Sequence, residues 1–220
     1  MLGMPSDRPW GLLANHFDKT LLRNDLAFEL SRRAGMAWTP RSQYVYLNLN
    51  GEFTDPTTQG ASLYQLTEHV RGGSNRVNIP SLAISSTTEP AITGGYLIEL
   101  DEDLVGQAGC FRTTRLTMNF CVAEPDTIAT TGWEAQWGYL TTYVQQAEDA
   151  LFGANFTDPV AGYEQYLDVD SVIQYYLVNE LSKNWDGDLR RSTFMYKQRS
   201  GKLFFGPVWD FDMAFGNLGG

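Results

Sequence analysis

Trp133, Trp137, Leu140, Val144, Ala147 and Leu151 follow one another at intervals of 4, 3, 4, 3 and 4 residues. That spacing matches the helical period, so the six side chains form one apolar stripe on a long amphipathic helix. A stripe of this kind is stable only against another apolar surface. We read it as core, and the rest of the chain must supply the facing layer.

The middle of the sequence supplies strands. Tyr44-Val-Tyr-Leu-Asn-Leu49 has β character and ends in Asn50-Gly51, a strong hairpin signal, with a return strand expected at Glu52-Phe53 and a loop over residues 54–60. Residues 62–68 alternate, which puts Glu68 on the same face as Tyr64 and Leu66. Residues 93–101 and the stretch around 110–122 are further strands. Thr20 is the expected cap of a helix over residues 20–34, with Leu22, Leu26 and Leu30 on its buried side and Gly35 as a left-handed stop. Asp170 or Ser171 is the expected cap of another helix that buries Ile173, Leu177 and Leu181 and runs to Lys183-Asn184. Residues 192–197 and 202–205 read as a hairpin around Arg199-Ser-Gly201. No repeat or linker interrupts the pattern. The expectation is one α+β unit over residues 1–220, mainly antiparallel β in the middle with long helices packed against it.

Charge narrows the function. Against 26 acidic residues stand 16 Lys and Arg, a net charge of −10, which argues against binding a nucleic-acid backbone. A hydrophobic fraction of 43% and an aromatic fraction of 13% exclude a disordered chain. No apolar run approaches the roughly 20 residues needed to cross a bilayer, and the first residues lack the basic and apolar regions of a signal peptide. Two cysteines and two isolated histidines make a structural zinc site improbable. Cys110 and Cys121 flank a segment that can fold back on itself, giving either a disulfide or two buried thiols. Asn155-Phe-Thr157 is a glycosylation sequon, meaningful only in a secretory compartment.

The chemistry concentrates in the last 40 residues, where Glu180, Asn184, Asp186, Asp188, Asp210 and Asp212 fall. Asp186 lies in a polar loop after a helix, and the following hairpin can return Asp210 and Asp212 to it. If residues 210–212 are extended, the two aspartates point to one side, roughly 6–7 Å apart. Magnesium takes one or two protein carboxylates together with phosphate oxygens, so a sparse set of Asp and Asn suits a metal–nucleotide site with Mg²⁺ or Mn²⁺. A loop acid, a hairpin and a later Asp-Phe follow the order of a kinase site, in which the first acid orients an acceptor hydroxyl and the second holds metal. The alternative is that these acids cap turns and pair with Arg190, Arg191 or Arg199. Arg71-Gly-Gly-Ser-Asn-Arg76 is either a phosphate contact or an ordinary turn; it lacks the Lys-Ser/Thr ending of a P-loop.

The chain also resembles the CotH kinases, the spore-coat-protein-H-like family. The resemblance rests on Trp10-Gly-Leu-Leu-Ala-Asn-His-Phe-Asp-Lys-Thr-Leu-Leu-Arg-Asn24, Asn50-Gly-Glu-Phe53, Tyr64-Gln-Leu-Thr-Glu68, Gly94-Gly-Tyr-Leu-Ile-Glu-Leu-Asp101, Asn179-Glu180, Asn184-Trp-Asp186 and Gly206-Pro-Val-Trp-Asp-Phe-Asp-Met-Ala-Phe-Gly-Asn217. It implies an atypical protein-kinase-like fold that uses ATP with Mg²⁺ or Mn²⁺ to phosphorylate Ser in spore-coat or extracellular proteins, in a secreted, cell-surface or spore-coat location. By that likeness Asp186 is the catalytic acid and Asp210 binds metal. Asp212, Asn184 and Glu68 then serve as supporting residues.

Members usually carry, ahead of the Trp10 block, strands with a Lys-rich segment that holds nucleotide phosphates. Here the only lysines are Lys19, Lys183, Lys197 and Lys202. The sequence therefore reads as a fragment, a truncated product or a reduced homologue, with Arg71 or Arg76 as the substitute phosphate partner. Three functions follow: a phosphotransferase domain, a non-catalytic surface or coat-assembly module, and, less favoured, a metal-dependent hydrolase.

Overall fold

The computed structural model describes residues 2–49, 52–53, 63–187 and 189–217. Asn50-Gly51, the 54–60 loop and Asp188 lie outside the described residues. The described residues form an α+β structure with antiparallel sheets. The larger sheet has the strand order β10 (Leu203–Phe205), β9 (Thr193–Lys197), β6 (Tyr96–Leu100), β8 (Phe120–Glu124) and β7 (Cys110–Phe111). A smaller sheet places β5 (Leu63–Glu68) between β1 (Trp10–Leu13) and β2 (Ser42–Tyr46). A short antiparallel pair, β3 (Asn48–Leu49) and β4 (Glu52–Phe53), sets Asn48 opposite Phe53 and Leu49 opposite Glu52.

The helical stripe finds its facing layer in the larger sheet. Helix α2 (Glu134–Leu151) buries Trp133, Leu140 and Val144 against Tyr96, Ile98, Leu100, Phe120 and Met195. Only its end departs from expectation, since Leu151 is exposed. The alternate residues of β6 and β9, Leu97, Phe194 and Tyr196, face the other way and pack with Val70, Val77 and Ile79. Period-two alternation thus makes β6 the shared wall of two cores.

The other two helices turn differently from the sequence expectation. Helix α1 (Arg23–Ala34) starts later than residue 20, and Thr20 is not its cap; Asp18 instead accepts from the Arg23 backbone N–H at 2.9 Å and also pairs with the Arg23 guanidinium. Its buried residues are Asn24, Ala27, Phe28 and Ser31, whereas Leu22 and Leu26 are exposed. Helix α3 (Val169–Ser182) is capped by Asp168, whose carboxylate accepts from Ser171 N–H at 2.9 Å, and not by Asp170 or Ser171. It buries Ser171, Tyr175, Val178 and Ser182, while Ile173, Leu177 and Leu181 face outward at 49%, 55% and 68% exposure. The small residues Ala27, Ser31 and Ser182 are fully buried, and Ala27, Phe28, Tyr175 and Val178 pack with Val208, Phe211 and Ala214 from the last segment.

Cys110 and Cys121 sit directly opposite each other on β7 and β8 and form a disulfide. Of the alternatives open in the sequence, the bonded one holds.

Candidate functional site

Two chain reversals bring the C-terminal acids together. Helix α3 ends where Lys183 takes a left-handed conformation (φ 52°), after which Asn184 N–H donates back to the Asn179 carbonyl at 3.2 Å. The chain then turns through residues 184–187. Gly187 is needed here for space, because a Cβ at that position would lie 2.4 Å from Asn184 Nδ2. The second acid-bearing segment follows β10. It is pinned from both sides: Phe211 N–H donates to Asn24 Oδ1 at 2.7 Å, Arg23 Nε donates to the Ala214 carbonyl at 3.1 Å, and Phe215 N–H donates to the Ser182 carbonyl at 2.6 Å. That last bond fastens the segment to the end of α3, where the Asp186 loop begins.

Residues 210–212 are not extended. Asp210 has φ 59°, a left-handed conformation that Asp tolerates better than most residues, and Asp212 begins a turn. Phe211, between the two acids, is fully buried in the cluster formed with residues of α1 and α3. The two carboxyl groups still lie near enough to perturb each other's titration.

The electrostatics of this corner are one-sided. Burial pushes the Asp210 carboxyl up to about 7, with further push from Asp212 and Asp186. Asp212 is raised by burial and then by Asp186 and Asp18. Glu99, on β6, is pushed up to about 7 by burial, Asp101 and Asp210. Asp101 is raised chiefly by burial. Among the described residues, Arg191 Nη1 pairs with Asp186 Oδ1 at 3.3 Å. No ion pair is described for Asp210, Asp212 or Glu99. Asn184, at the end of α3 beside Asn179 and Gly187, has a buried Oδ1 with no hydrogen-bond partner.

This donor set fits a divalent cation shared with phosphate. Among the described residues no three Asp, Glu, His or Cys side chains form a ready-made metal cage. Magnesium does not require one, since it accepts one or two carboxylates and completes its shell with water and substrate oxygens. Asp210, Asp212 and the orphaned Asn184 oxygen are hard oxygen donors of that kind. Burying carboxylates next to each other without a counter-charge is costly, and a cation offsets that cost.

The other sequence candidates lie in a separate arrangement. Glu68 is fully buried at the end of β5 and is held on both oxygens, Oε2 by Arg41 Nε at 2.8 Å and Oε1 by Arg76 Nη1 at 2.6 Å. Arg76 is equally buried, stacks at 5.0 Å over Trp10 and keeps Nε and Nη2 without hydrogen-bond partners. Arg71 donates to the Arg8 carbonyl at 2.9 Å and lies 3.5 Å from Glu124. These residues touch the acidic corner indirectly: His69, next to Glu68, packs at 5.4 Å on Trp209, next to Asp210.

Glu99 and Asp101 were missed as site residues, although one signal was available. Glu99 alternates with Leu97 on a buried face of an otherwise apolar strand, a position where an unpaired charge requires a reason. Lys197, the one lysine in a described strand, is not a phosphate ligand. Its ammonium is buried, donates to the carbonyls of Thr93, Gln198 and Gly201 and lies 4.4 Å from the Tyr143 ring centroid.

Fold and site together define an α+β protein with a group of mutually perturbing acids near its C-terminal end. A family model described as CotH kinase protein matches residues 1–220, and the chain belongs to that family. Comparison with curated proteins gives no match. Among the described residues no helix is long and apolar enough to cross a membrane.

Proposed function

We propose that this chain is a protein Ser/Thr phosphotransferase domain, moving the γ-phosphate of ATP to a hydroxyl of a spore-coat or extracellular protein. The single observation that supports the reading is that Asp186, Asp210 and Asp212 lie near enough for Asp186 to raise the titration of the other two, with no ion pair to Asp210 among the described residues. Asp186, steadied by Arg191, orients the acceptor hydroxyl and takes its proton. Asp210 and Asp212, with Asn184 Oδ1, would hold Mg²⁺ or Mn²⁺. When bound, the cation neutralises charge on the transferring phosphate. Catalysis is then mainly placement and electrostatics. Glu68 and Arg76, both fully buried, act through the fold on the β5 side, and the partly exposed Arg71 is the candidate phosphate contact. A coat, cell-surface or secreted location is supported by the family and by the Cys110–Cys121 disulfide, which persists in oxidising surroundings.

The test is Mn²⁺- or Mg²⁺-dependent transfer of labelled phosphate to a Ser-rich synthetic peptide. Asp186→Ala and Asp210→Ala should each reduce transfer by about 100-fold or more. Equal activity in wild type and both variants would overturn the assignment. Release of free phosphate without labelling of the peptide would point to a hydrolase.

A second reading has its own observation. The outward face of α3 exposes Ile173, Tyr176, Leu177 and Leu181, which suits a module that binds other proteins without catalysis. ATP with Mn²⁺ should raise the melting temperature of an enzyme through mass action and leave a pure binding module unmoved.

A further inference from the structure

Glu102, just beyond β6, gathers two arginines onto one carboxylate oxygen. Arg190 Nη2 and Arg191 Nη2 each lie 3.0 Å from its Oε1, and its backbone N–H donates to the Arg190 carbonyl at 2.8 Å. The two arginines then reach consecutive residues of the acidic loop. The Arg190 guanidinium lies 5.4 Å from the Trp185 ring centroid, and Arg191 Nη1 lies 3.3 Å from Asp186 Oδ1. Asp103 adds a contact to Arg191 at 3.1 Å.

We propose that Glu102 is a positioning residue, which fixes Asp186 through Arg190 and Arg191. The proposal rests on the role of Asp186 given above. The physical need is plain from the loop itself. Lys183 and Leu189 on either side of it are left-handed, and Asp186 carries like-charged neighbours in Asp210 and Asp212 that push its carboxylate away. A single half-exposed ion pair would restrain such a loop weakly. A shared carboxylate that orients two planar guanidinium groups, one on the Trp185 ring and one on the Asp186 carboxylate, restrains both direction and distance. Asp186 is the least exposed member of the network, at 15% of its side chain, so the restraint acts where solvent screens least.

Glu102→Gln keeps the shape and removes the charge. In phosphate transfer from ATP to a Ser-rich synthetic peptide with Mn²⁺, it should lower kcat about 10- to 100-fold with KM for ATP changed by no more than about twofold. Combining it with Arg191→Ala should cost no more than the worse single variant, because both break one linkage. Arg191→Lys should recover part of the loss of Arg191→Ala, since it restores charge without the planar fork. Wild-type kcat in Glu102→Gln, additive losses, or a KM change as large as the kcat change would each overturn the proposal. Amide exchange at residues 184–187 gives a readout independent of activity. It should quicken in Glu102→Gln while the protection of α2 is unchanged. If the wild type transfers no phosphate, the function fails, and the clamp stands or falls on that exchange difference alone.

Discussion

Two carboxylate centres, one fully buried and one partly buried, have been given opposite surroundings. Glu68 is enclosed by Arg41 and Arg76, with Arg76 itself fully buried. Asp210 and Glu99 are enclosed by other acids and are pushed up to about 7. In the first centre the protein provides its own counter-charge, and the carboxylate locks β5 to β2 and to the 71–76 turn. In the second it withholds one, which is an expensive way to build a core and a useful way to build a cation-binding corner. The difference separates a carboxylate that holds the fold from carboxylates that await a substrate.

Removing the internal counter-charge should have the largest effect on folding. Arg76→Met leaves Glu68 buried with only the half-exposed Arg41, and should cost about 3–5 kcal/mol in urea denaturation. If Glu68 acts only through this pair, Arg76→Met with Glu68→Leu should recover most of that loss. A mild effect of Arg76→Met alone would erase the contrast between the centres.

The acidic corner should respond to pH and metal in a way the Glu68 centre does not. Asp210 is raised from an ordinary value of 3.8 to about 7, so the folded state holds its proton more tightly than the unfolded state between those values. The stability associated with this group is full below about pH 4 and is lost as pH rises through 7. Without metal, Asp210→Asn should therefore gain on wild type as pH increases across that window. At pH 8, Mn²⁺ at 100 times its dissociation constant should stabilise wild type by about 2.7 kcal/mol and Asp210→Asn far less. Identical pH curves for the two proteins would remove the corner's special character.

The smallest effect should come from Arg41→Ala. Its guanidinium is partly solvated, and Arg76 still pairs with Glu68, so the loss should be about 1 kcal/mol by urea denaturation, with no change in the Mn²⁺ response.

How far these features were legible in the chain varies with the local redundancy of the apolar pattern. In α2 the stripe is narrow and bounded by polar residues, so one face alone could be buried. In α3, Val172, Ile173, Tyr175, Tyr176, Leu177, Val178 and Leu181 surround the helix almost completely, and period alone does not choose among faces. Ile173, Leu177 and Leu181 face outward because Tyr175 and Val178 are the side chains that join the cluster with α1 and the last segment. The acids of 186, 210 and 212 could be singled out by residue type and order. Their approach through a left-handed Asp210 beside the buried Phe211, in place of an extended run, could not be read that way.

Sequence by itself determined the α+β class, the α2–sheet pairing, the hairpin of β9 and β10 and the acids worth watching, because periods of 3.6 and 2 and the chemistry of carboxylates are local properties. Only the tertiary structure decided which faces of α1 and α3 are inside, that among the described residues Glu68 has a counter-charge while Asp210 has none, and that Glu102 gathers Arg190 and Arg191. Those outcomes turn on burial and on partners distant in sequence, and neither is written in the spacing of any one segment.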